Sequence, residues 1–571
     1  MSAAGTQPIY SARRALLLTV FGVAALLLLV RAVDLQVFRK RFLQDQGNAR
    51  YLRVVSIPAH RGMILDRNGA PLAISTPVDS VCANPQELLP AHPDLASLAR
   101  LLNLDPRALR RLLAAHSDSE FVYIKRQIDP YLAKRAMALN IPGIFLQREY
   151  RRYYPSGEVS AQVLGFTNID DAGQEGIELE YNNWLHGHPG SMRVIKDGYG
   201  HIVEDVESIR EPRPGKNLVL SVDERIQYIA YRALKAAVLE HDAHSGSVVV
   251  LDARTGEVLA MANQPSFNPN NRRDLIGNRY RNRAETDVFE PGSTVKPFTI
   301  ACALESGKYR PDTPINTSPG WYMLDGYTIS DVANFGMLDV ATVISKSSNV
   351  GASKIALTLP PQSLWTMFTN VGFGSLTGSG FPGEAAGVLG YYTRWNEAQQ
   401  ATLSFGYGLS VTPLQLADAY VALADGGIKR PVSLLKLNRV AAGRRIMPAS
   451  IAAQVRTMLE GVVSKSGTGY KARVPGYRIA GKTGTVRKLV NGKYSEKHYV
   501  AVFAGMAPAS APRLVAVVMI NDPRVGSYYG GEVAAPVFAR VMAGALRILD
   551  IAPDAVPATK PQFAGPGGDT T

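Results

Sequence analysis

Ser293 and Lys296 stand three residues apart in the run Pro291-Gly292-Ser293-Thr294-Val295-Lys296. A Pro-Gly turn opening onto Ala301, Ala303 and Leu304 predicts a helix that starts here, and the i, i+3 spacing puts hydroxyl and amine on one face, within reach of each other. At a helix N-terminus, unpaired amides and the positive end of the dipole favour an oxyanion beside Ser293. A buried lysine near other cations loses its proton near neutral pH and can act as base to a serine hydroxyl. Alone the pattern is weak, because a chain of 571 residues holds about two Ser-x-x-Lys runs by chance.

Two later patterns supply what a serine and a lysine lack. Ser347 and Asn349 straddle one residue in the small-residue stretch 345–353, a spacing suited to a loop or helix start that aims a hydroxyl and an amide into one cleft. The hydroxyl can relay a proton between base and leaving group, and the amide can orient substrate and lysine. Gly481-Lys482-Thr483-Gly484-Thr485 lies inside the strand pattern 478–486, and glycine within a strand marks close approach of another chain or ligand. Lys482 offers a cation and Thr483 and Thr485 offer hydroxyls, a set that suits a substrate carboxylate. The amide of Thr485 can pair with that of Ser293 as an oxyanion hole. The chemistry implied is acyl transfer through a serine ester.

These groups need elements to hold them. Asp223 caps a predicted helix to about residue 240, with Ile226, Ile229, Ala230 and Leu234 on one face. An apolar strand over 247–252 is turned by Arg254-Thr255-Gly256 into a partner strand over 257–263. A long, mostly helical insertion follows, then short apolar strands at 478–486, 499–506 and 514–521 and a last helix over 534–548. That order predicts an α/β fold, an antiparallel sheet flanked by helices plus an all-helical region. From residue 552, Pro, Gly, Ala and Thr dominate and predict a disordered tail, 552–571.

Upstream, Arg13 and Arg14 precede an apolar run over 15–30 that Ala32, Val33, Leu35, Val37 and Phe38 continue. The expectation is one transmembrane helix, 15–38, able to cross a hydrocarbon core of about 30 Å. No small-residue cleavage site follows it. The arginine pair places the arm 1–14 in the cytoplasm and everything after residue 38 outside. Residues 39–216 then read as a strand-rich, non-catalytic module ending at the Pro-rich stretch 211–215. It holds a strand over 51–58, a turn at Asn68-Gly69, helices over 95–102, 106–115 and 130–140, a glycine-rich passage and a hairpin around Asp197-Gly198. The net charge of +14 favours polyanionic surroundings, but with no zinc-finger spacing and no ribonucleoprotein signature nucleic acid is not expected. Cys82 and Cys302 fit no metal or redox pattern and read as buried thiols.

Taken together, the motifs match the ordered set Ser-x-x-Lys, Ser-x-Asn, Lys-Thr-Gly of penicillin-binding proteins and class A β-lactamases, with Ser348 where that set has aspartate. The runs 289–298, 345–351 and 481–485 resemble class B penicillin-binding proteins, most closely the division-specific septal type, and the resemblance covers nearly the whole chain. Segments 57–62, 66–69 and 173–178 resemble that family's pedestal motifs. The resemblance implies a transpeptidase domain over 217–551, anchored in the bacterial inner membrane with its catalytic part in the periplasm. Ser293, acylated by the penultimate D-alanine of a stem peptide, would pass the acyl group to the amine of a second stem and would be trapped by penicillin. It implies Ser293, Lys296, Ser347, Asn349 and Lys482 as catalytic residues. Thr483, Gly484, Thr485 and Arg487 would line the donor-carboxylate side, with Tyr499, Tyr528 and Tyr529 as an aromatic wall. No cofactor or metal is implied. The partners implied are a septal lipid II polymerase of the SEDS class and other division proteins, met through the membrane helix and pedestal. Val486 departs from the small or polar residue that many relatives carry after the Lys-Thr-Gly-Thr run.

The rivals are disfavoured on specific grounds. A β-lactamase would be about half this length and would need a carboxylate to hydrolyse the ester, and none is assignable. A β-lactam sensor would carry several spans. A bifunctional synthase would need a glycosyltransferase domain for which 39–216 has no room. The pairs His186-x-His188 and His241-x-x-His244 lack a third ligand for a metal. An elongation-specific or accessory paralogue is the competing biological role.

Overall fold

The computed structural model describes residues 9–43, 52–91, 93–196, 202–271, 273 and 277–555. The chain forms two compact units, one made of 1–60, 77–150 and 187–214, the other of 61–76, 151–186 and 215–571.

In the first unit the helix Ile9–Val33 continues through a π-turn, Asp34–Phe38. Its Ser11–Phe38 stretch is long and apolar enough to cross a membrane. Large apolar side chains such as Leu16, Phe21, Leu27 and Leu29 are exposed all round it, as lipid contact requires and water does not favour. Most of the expected cytoplasmic arm, residues 1–8, lies outside the described residues. An antiparallel sheet in the order Leu52–Ile57, Gly190–Lys196, Ile202–Arg210 follows; the expected turn at Asp197-Gly198 lies outside the described residues. Three short helices, Leu95–Leu101, Pro106–Ala115 and Pro130–Met137, each begin on an aspartate (Asp94, Asp105, Asp129) whose carboxylate accepts from the first amides. They bury Leu98, Leu109, Leu113 and Ala133 against Val81, Ile124 and Ile144.

The second unit is built on a five-stranded antiparallel sheet: β1 (Ser245–Asp252), β2 (Val258–Gln264), β3 (Ala480–Val490), β4 (Lys493–Ala507) and β5 (Leu514–Asn521), in the order β2-β1-β5-β4-β3. Alternation along the strands sends side chains to opposite faces. Val248, Val250, Phe503 and Val518 meet the apolar faces of α1 (Glu224–Glu240) and the C-terminal helix Ala535–Ile548. Val249, Leu251, Val502 and Val517 face the larger core that holds α2 (Lys296–Glu305). That core also contains α3 (Val340–Lys346), α4 (Asn349–Leu357), α5 (Pro413–Ala424) and α6 (Ala449–Val462). All twelve residues of α5 are buried, its two polar ones included: Gln415 donates to Ser375 O and Ala386 O, and Asp418 pairs with Lys429; a Thr412–Gln415 capping box starts the helix.

Three features differ from the sequence expectation. The pair β3–β4 runs on as a hairpin to Asn491-Gly492, well past residue 486. Positions 487–499 are exposed or half-buried, Leu489 and Val490 among the exposed ones, so this extension has no buried face to write alternation into its sequence. The chain also stays hydrogen-bonded beyond 551: the Asp554 carboxylate accepts from the amides of Arg478 and Ser510, and Ala555 N donates to Gly476 O. The rest of the expected tail, 556–571, lies outside the described residues. Finally, segments 61–76 and 151–186 belong to the same compact unit as the large sheet. Both cysteines are free and buried, and burial pushes each thiol up to about 12.

Candidate active site

Ser293 does not lie in the first turn of an α-helix. Gly292–Val295 is a turn of 3-10 helix that passes into α2 at Lys296, a tighter winding in which residues i and i+3 eclipse. Close approach on two sides fixes this turn. Gly292 adopts φ +54°, and a β-carbon there would lie 2.4 Å from Val486 Cγ2. On the other side Gly292 N donates to Gly406 O, and a β-carbon on Gly406 would lie 2.1 Å from Gly292 O. Glycine at both positions is therefore a requirement of the site. Tyr420 Oη donates to Thr294 O at 2.8 Å and Thr294 Oγ1 to Pro291 O at 2.7 Å, fastening the turn to α5. The Ser293 hydroxyl is partly exposed and among the described residues makes no hydrogen bond.

Lys296 is fully buried. Its Nζ donates to Ser347 O (2.5 Å), Asn349 Oδ1 (2.8 Å) and Ser347 Oγ (3.3 Å). Lys482, also fully buried on the edge strand β3, donates to Ser347 Oγ at 2.9 Å and Thr483 O at 3.1 Å. Two amines thus converge on one hydroxyl. Burial, then the neighbouring Lys482 charge, hold the Lys296 ammonium well below the usual lysine range, with Asp331 pulling the other way. Burial brings Lys482 down to about 7. An amine so placed is available as a proton acceptor near neutral pH.

The second motif sits on the α3–α4 turn. Ser347 takes the left-handed conformation at φ +61°, uncommon for a residue with a side chain. Ser348 is the N-cap of α4, its Oγ accepting from Gly351 N at 2.8 Å.

The third motif is on β3, which among the described strands is the edge of its sheet, so every second amide points away from the ladder. Lys482, Gly484 and Val486 share one face by strand alternation. A β-carbon on Gly484 would sit 3.1 Å from Pro291 O and Thr294 Cγ2, so the glycine lets strand and turn pack backbone to backbone. Thr483 and Thr485 lie on the opposite face: Thr483 Oγ1 pairs with Thr468 Oγ1 at 2.7 Å, and Thr485 Oγ1 accepts from Gly530 N at 3.0 Å. Arg487 is exposed, its amide donating to Tyr407 Oη at 3.1 Å. Tyr499 and Tyr528 stack with ring centres 4.1 Å apart, and Tyr529 leans on Tyr528 at 4.6 Å.

The structure therefore gathers Lys296, Ser347, Asn349 and Lys482 into one hydrogen-bonded cluster beside the Ser293 turn, and the three tyrosines into one aromatic stack. Two residues were not found in the sequence. Glu290 Oε1 accepts from Gly408 N (2.8 Å) and Tyr494 Oη (3.0 Å), with burial pushing its carboxyl up. Asp331 grips the α4 start. Both are single acids, Glu290 between Phe289 and Pro291 and Asp331 between Ser330 and Val332, with no spacing to mark them. A cleft of about 510 Å3 lies beside this site, lined among others by Phe289, Glu290, Leu409, Val486 and Arg487.

The chain matches two family models, the penicillin binding protein transpeptidase domain over residues 246–543 and the penicillin-binding protein dimerisation domain over 56–220. It is 46% identical over 550 residues to the peptidoglycan D,D-transpeptidase FtsI of Escherichia coli K12, covering 95% of this chain and 93% of that protein. It is 44% identical to the probable peptidoglycan D,D-transpeptidase PbpC of Pseudomonas aeruginosa, covering 94% and 95%. Among solved structures, the transpeptidase domain of Burkholderia pseudomallei penicillin-binding protein 3 matches with TM-score 0.55 and 46% identity over 59% of this chain and 98% of that one.

Proposed function

The chain belongs to the penicillin-binding protein family as a class B member, and from that premise we propose that it cross-links septal peptidoglycan as a D,D-transpeptidase through an ester on Ser293. The observation that carries the site assignment is the convergence of two buried lysines on Ser347 beside a serine hydroxyl that makes no hydrogen bond among the described residues. Two ammonium groups around one hydroxyl repel, and burial penalises both, so one of them gives up its proton near neutral pH.

In this reading the Lys296 amine takes the Ser293 proton as Oγ attacks the carbonyl carbon of the penultimate D-alanine of a stem peptide. The resulting oxyanion is held by the amides of Ser293 and Thr485. Ser347 passes a proton, replenished from the lysine pair, to the departing nitrogen, and D-alanine leaves. The amine of a second stem then attacks the ester, its proton returns to Ser293, and the cross-link is released. Penicillin acylates Ser293 by ring opening, so its nitrogen stays tethered and blocks the second amine. Thr483, Gly484, Thr485 and Arg487 would flank the donor carboxylate, and Tyr499, Tyr528 and Tyr529 would cover the apolar part of the stem or drug.

Among the described residues one helix, Ser11–Phe38, is long and apolar enough to cross a membrane; on this reading it anchors the protein in the inner membrane, and the Arg13-Arg14 pair favours a cytoplasmic N-terminus with the catalytic unit in the periplasm. We assign 39–216 to the pedestal and 217–551 to the transpeptidase domain, although the pedestal segments 61–76 and 151–186 belong to the same compact unit as the large sheet, with a septal polymerase of the SEDS class as partner through the membrane helix and pedestal. The Pseudomonas relative keeps an accessory role in view; depletion in the source bacterium yields filaments for a septal enzyme and rounded cells for an elongation enzyme. For the chemistry, purified protein forms a stable covalent adduct with a fluorescent penicillin and Ser293→Ala does not. Undiminished labelling of the alanine variant refutes the assignment of Ser293.

A further inference from the structure

The turn that brings Ser347 and Asn349 to Lys296 is a poor conformer on its own. Ser347 sits at φ +61°, a conformation that a residue with a side chain keeps only when its surroundings hold it. What holds it comes from a distant segment, the end of the exposed hairpin Trp321–Leu324/Tyr327–Ser330. One oxygen of Asp331, Oδ1, accepts from the amides of Asn349 (2.5 Å) and Val350 (3.0 Å), and Oδ2 accepts from Ser348 Oγ (2.5 Å). Its neighbour acts on the same residue: Ser330 O accepts from Asn349 Nδ2 at 3.0 Å. With its amide nitrogen committed there, Asn349 must turn Oδ1 toward Lys296, where it accepts at 2.8 Å.

This is more than helix capping. Ser348 already caps α4 through Gly351 N, and the carboxylate takes the two amides that the cap leaves over. We propose that Asp331 is a positioning residue of the acyl transfer, clamping the Ser347–Asn349 turn so that its oxygens meet the Lys296 amine. The inference rests on reading Lys296 as the base that activates Ser293.

The clamp also carries charge. The charged groups that face Lys296 are Lys482 from β3 and Asp331 from the hairpin end; Ser347 and Asn349 on the α3–α4 turn are neutral. Lys482 favours the free amine and Asp331 favours the ammonium ion. The carboxylate therefore trades geometry against base strength: it builds the cradle while restraining deprotonation of the lysine inside it.

Asp331→Asn separates the two effects, because it keeps an oxygen for the amides and removes the charge. The measurement is fluorescent-penicillin acylation of the full-length protein from pH 5.5 to 9, resolved into binding (K) and acylation (k2), with melting temperature as control. In Asp331→Asn the acid limb of k2 moves to lower pH by about half a unit or more, because the lysine loses the charge that favoured its ammonium form. In Asp331→Ala, k2 falls about tenfold or more at every pH while K changes little, as expected when a group set up for the transition state is misplaced. A merely structural role predicts a lower melting temperature with k2 and its limb unmoved in the folded protein, and that result overturns the proposal. If neither variant folds, Ser348→Ala decides: it removes one partner of the carboxylate and leaves the charge, so k2 falls about two- to fivefold with an unmoved limb, and wild-type k2 overturns the clamp. Failure of the wild type to label at Ser293 would instead refute the reading of the site itself.

Discussion

At the residue scale the site is an argument about where protons sit. Lys296 and Lys482 are buried without a facing carboxylate strong enough to keep both charged, and Ser347 lies between them. Both amines are depressed, Lys482 to about 7. A lysine with a lowered pKa is protonated and inert as a base below that value and free above it. Penicillin acylation should therefore climb with pH through the titration of the lysine pair, whose Lys482 member stands at about 7, and then level off. Lys296→Arg keeps the charge but cannot deprotonate in this range, and should lower k2 by about a hundred- to ten-thousandfold with little loss of melting temperature. A flat pH profile, or an arginine variant within tenfold of wild type, would remove Lys296 from the role of base.

At the element scale the site depends on how closely a 3-10 turn and an edge strand approach each other. Gly292 carries two demands at once, a left-handed φ and the absence of a β-carbon 2.4 Å from Val486 Cγ2. Gly292→Ala should cost about 2–4 kcal/mol of stability, combining the backbone penalty with overpacking, and should slow acylation by moving Ser293. Val486→Ala in the same chain removes the clash and leaves the backbone penalty, so the double variant should recover part of the loss and no more. Full recovery in thermal melts would show that steric contact alone makes the glycine necessary. Here Val486 shows a structural role, since its side chain packs the turn that carries Ser293.

At the scale of the whole molecule, the second unit draws on segments far apart in sequence. Its innermost ionic contact is Glu178, fully buried between Arg61 (2.6 Å) and Arg152 (2.6 Å). Arg61 also donates to Asp171 O, Asn182 Oδ1 and Glu178 O, and Arg152 to Gly62 O. The carboxylate compensates two buried guanidinium groups, so Glu178→Ala leaves both uncompensated. It should cost about 3–5 kcal/mol in melting or denaturant titration. Because the hydrogen bonds named for this network end on Gly62, Asp171, Glu178 and Asn182 and not on the Ser293 cluster, the folded fraction should still acylate at the wild-type rate. A variant that melts normally, or that folds but fails to acylate, would contradict that separation of roles.

The chemistry was legible because it is written in short local runs. Three motifs of three to five residues named Ser293, Lys296, Ser347, Asn349 and Lys482, and a run over 15–30 that is apolar apart from Thr19 and Gly22 named the candidate membrane helix. The same holds for β1, β2 and β5, buried almost throughout and so written as short, mostly apolar runs, and for α1, whose buried face imposes a helical stripe. The hairpin beyond residue 486, exposed or half-buried, had no such imprint, nor did Asp331 and Glu290, single acids whose partners lie 17 to 19 and 118 to 204 residues away. By itself the sequence determined which functional groups are present and the order in which they occur, because covalent spacing is local. Only the tertiary structure decided that Lys296 points to Ser347 and Asn349, that Thr483 and Thr485 face away from Lys482, and that segments 61–76 and 151–186 join the catalytic unit. Each of those outcomes depends on a contact between residues distant in the chain, and such contacts leave no pattern along it.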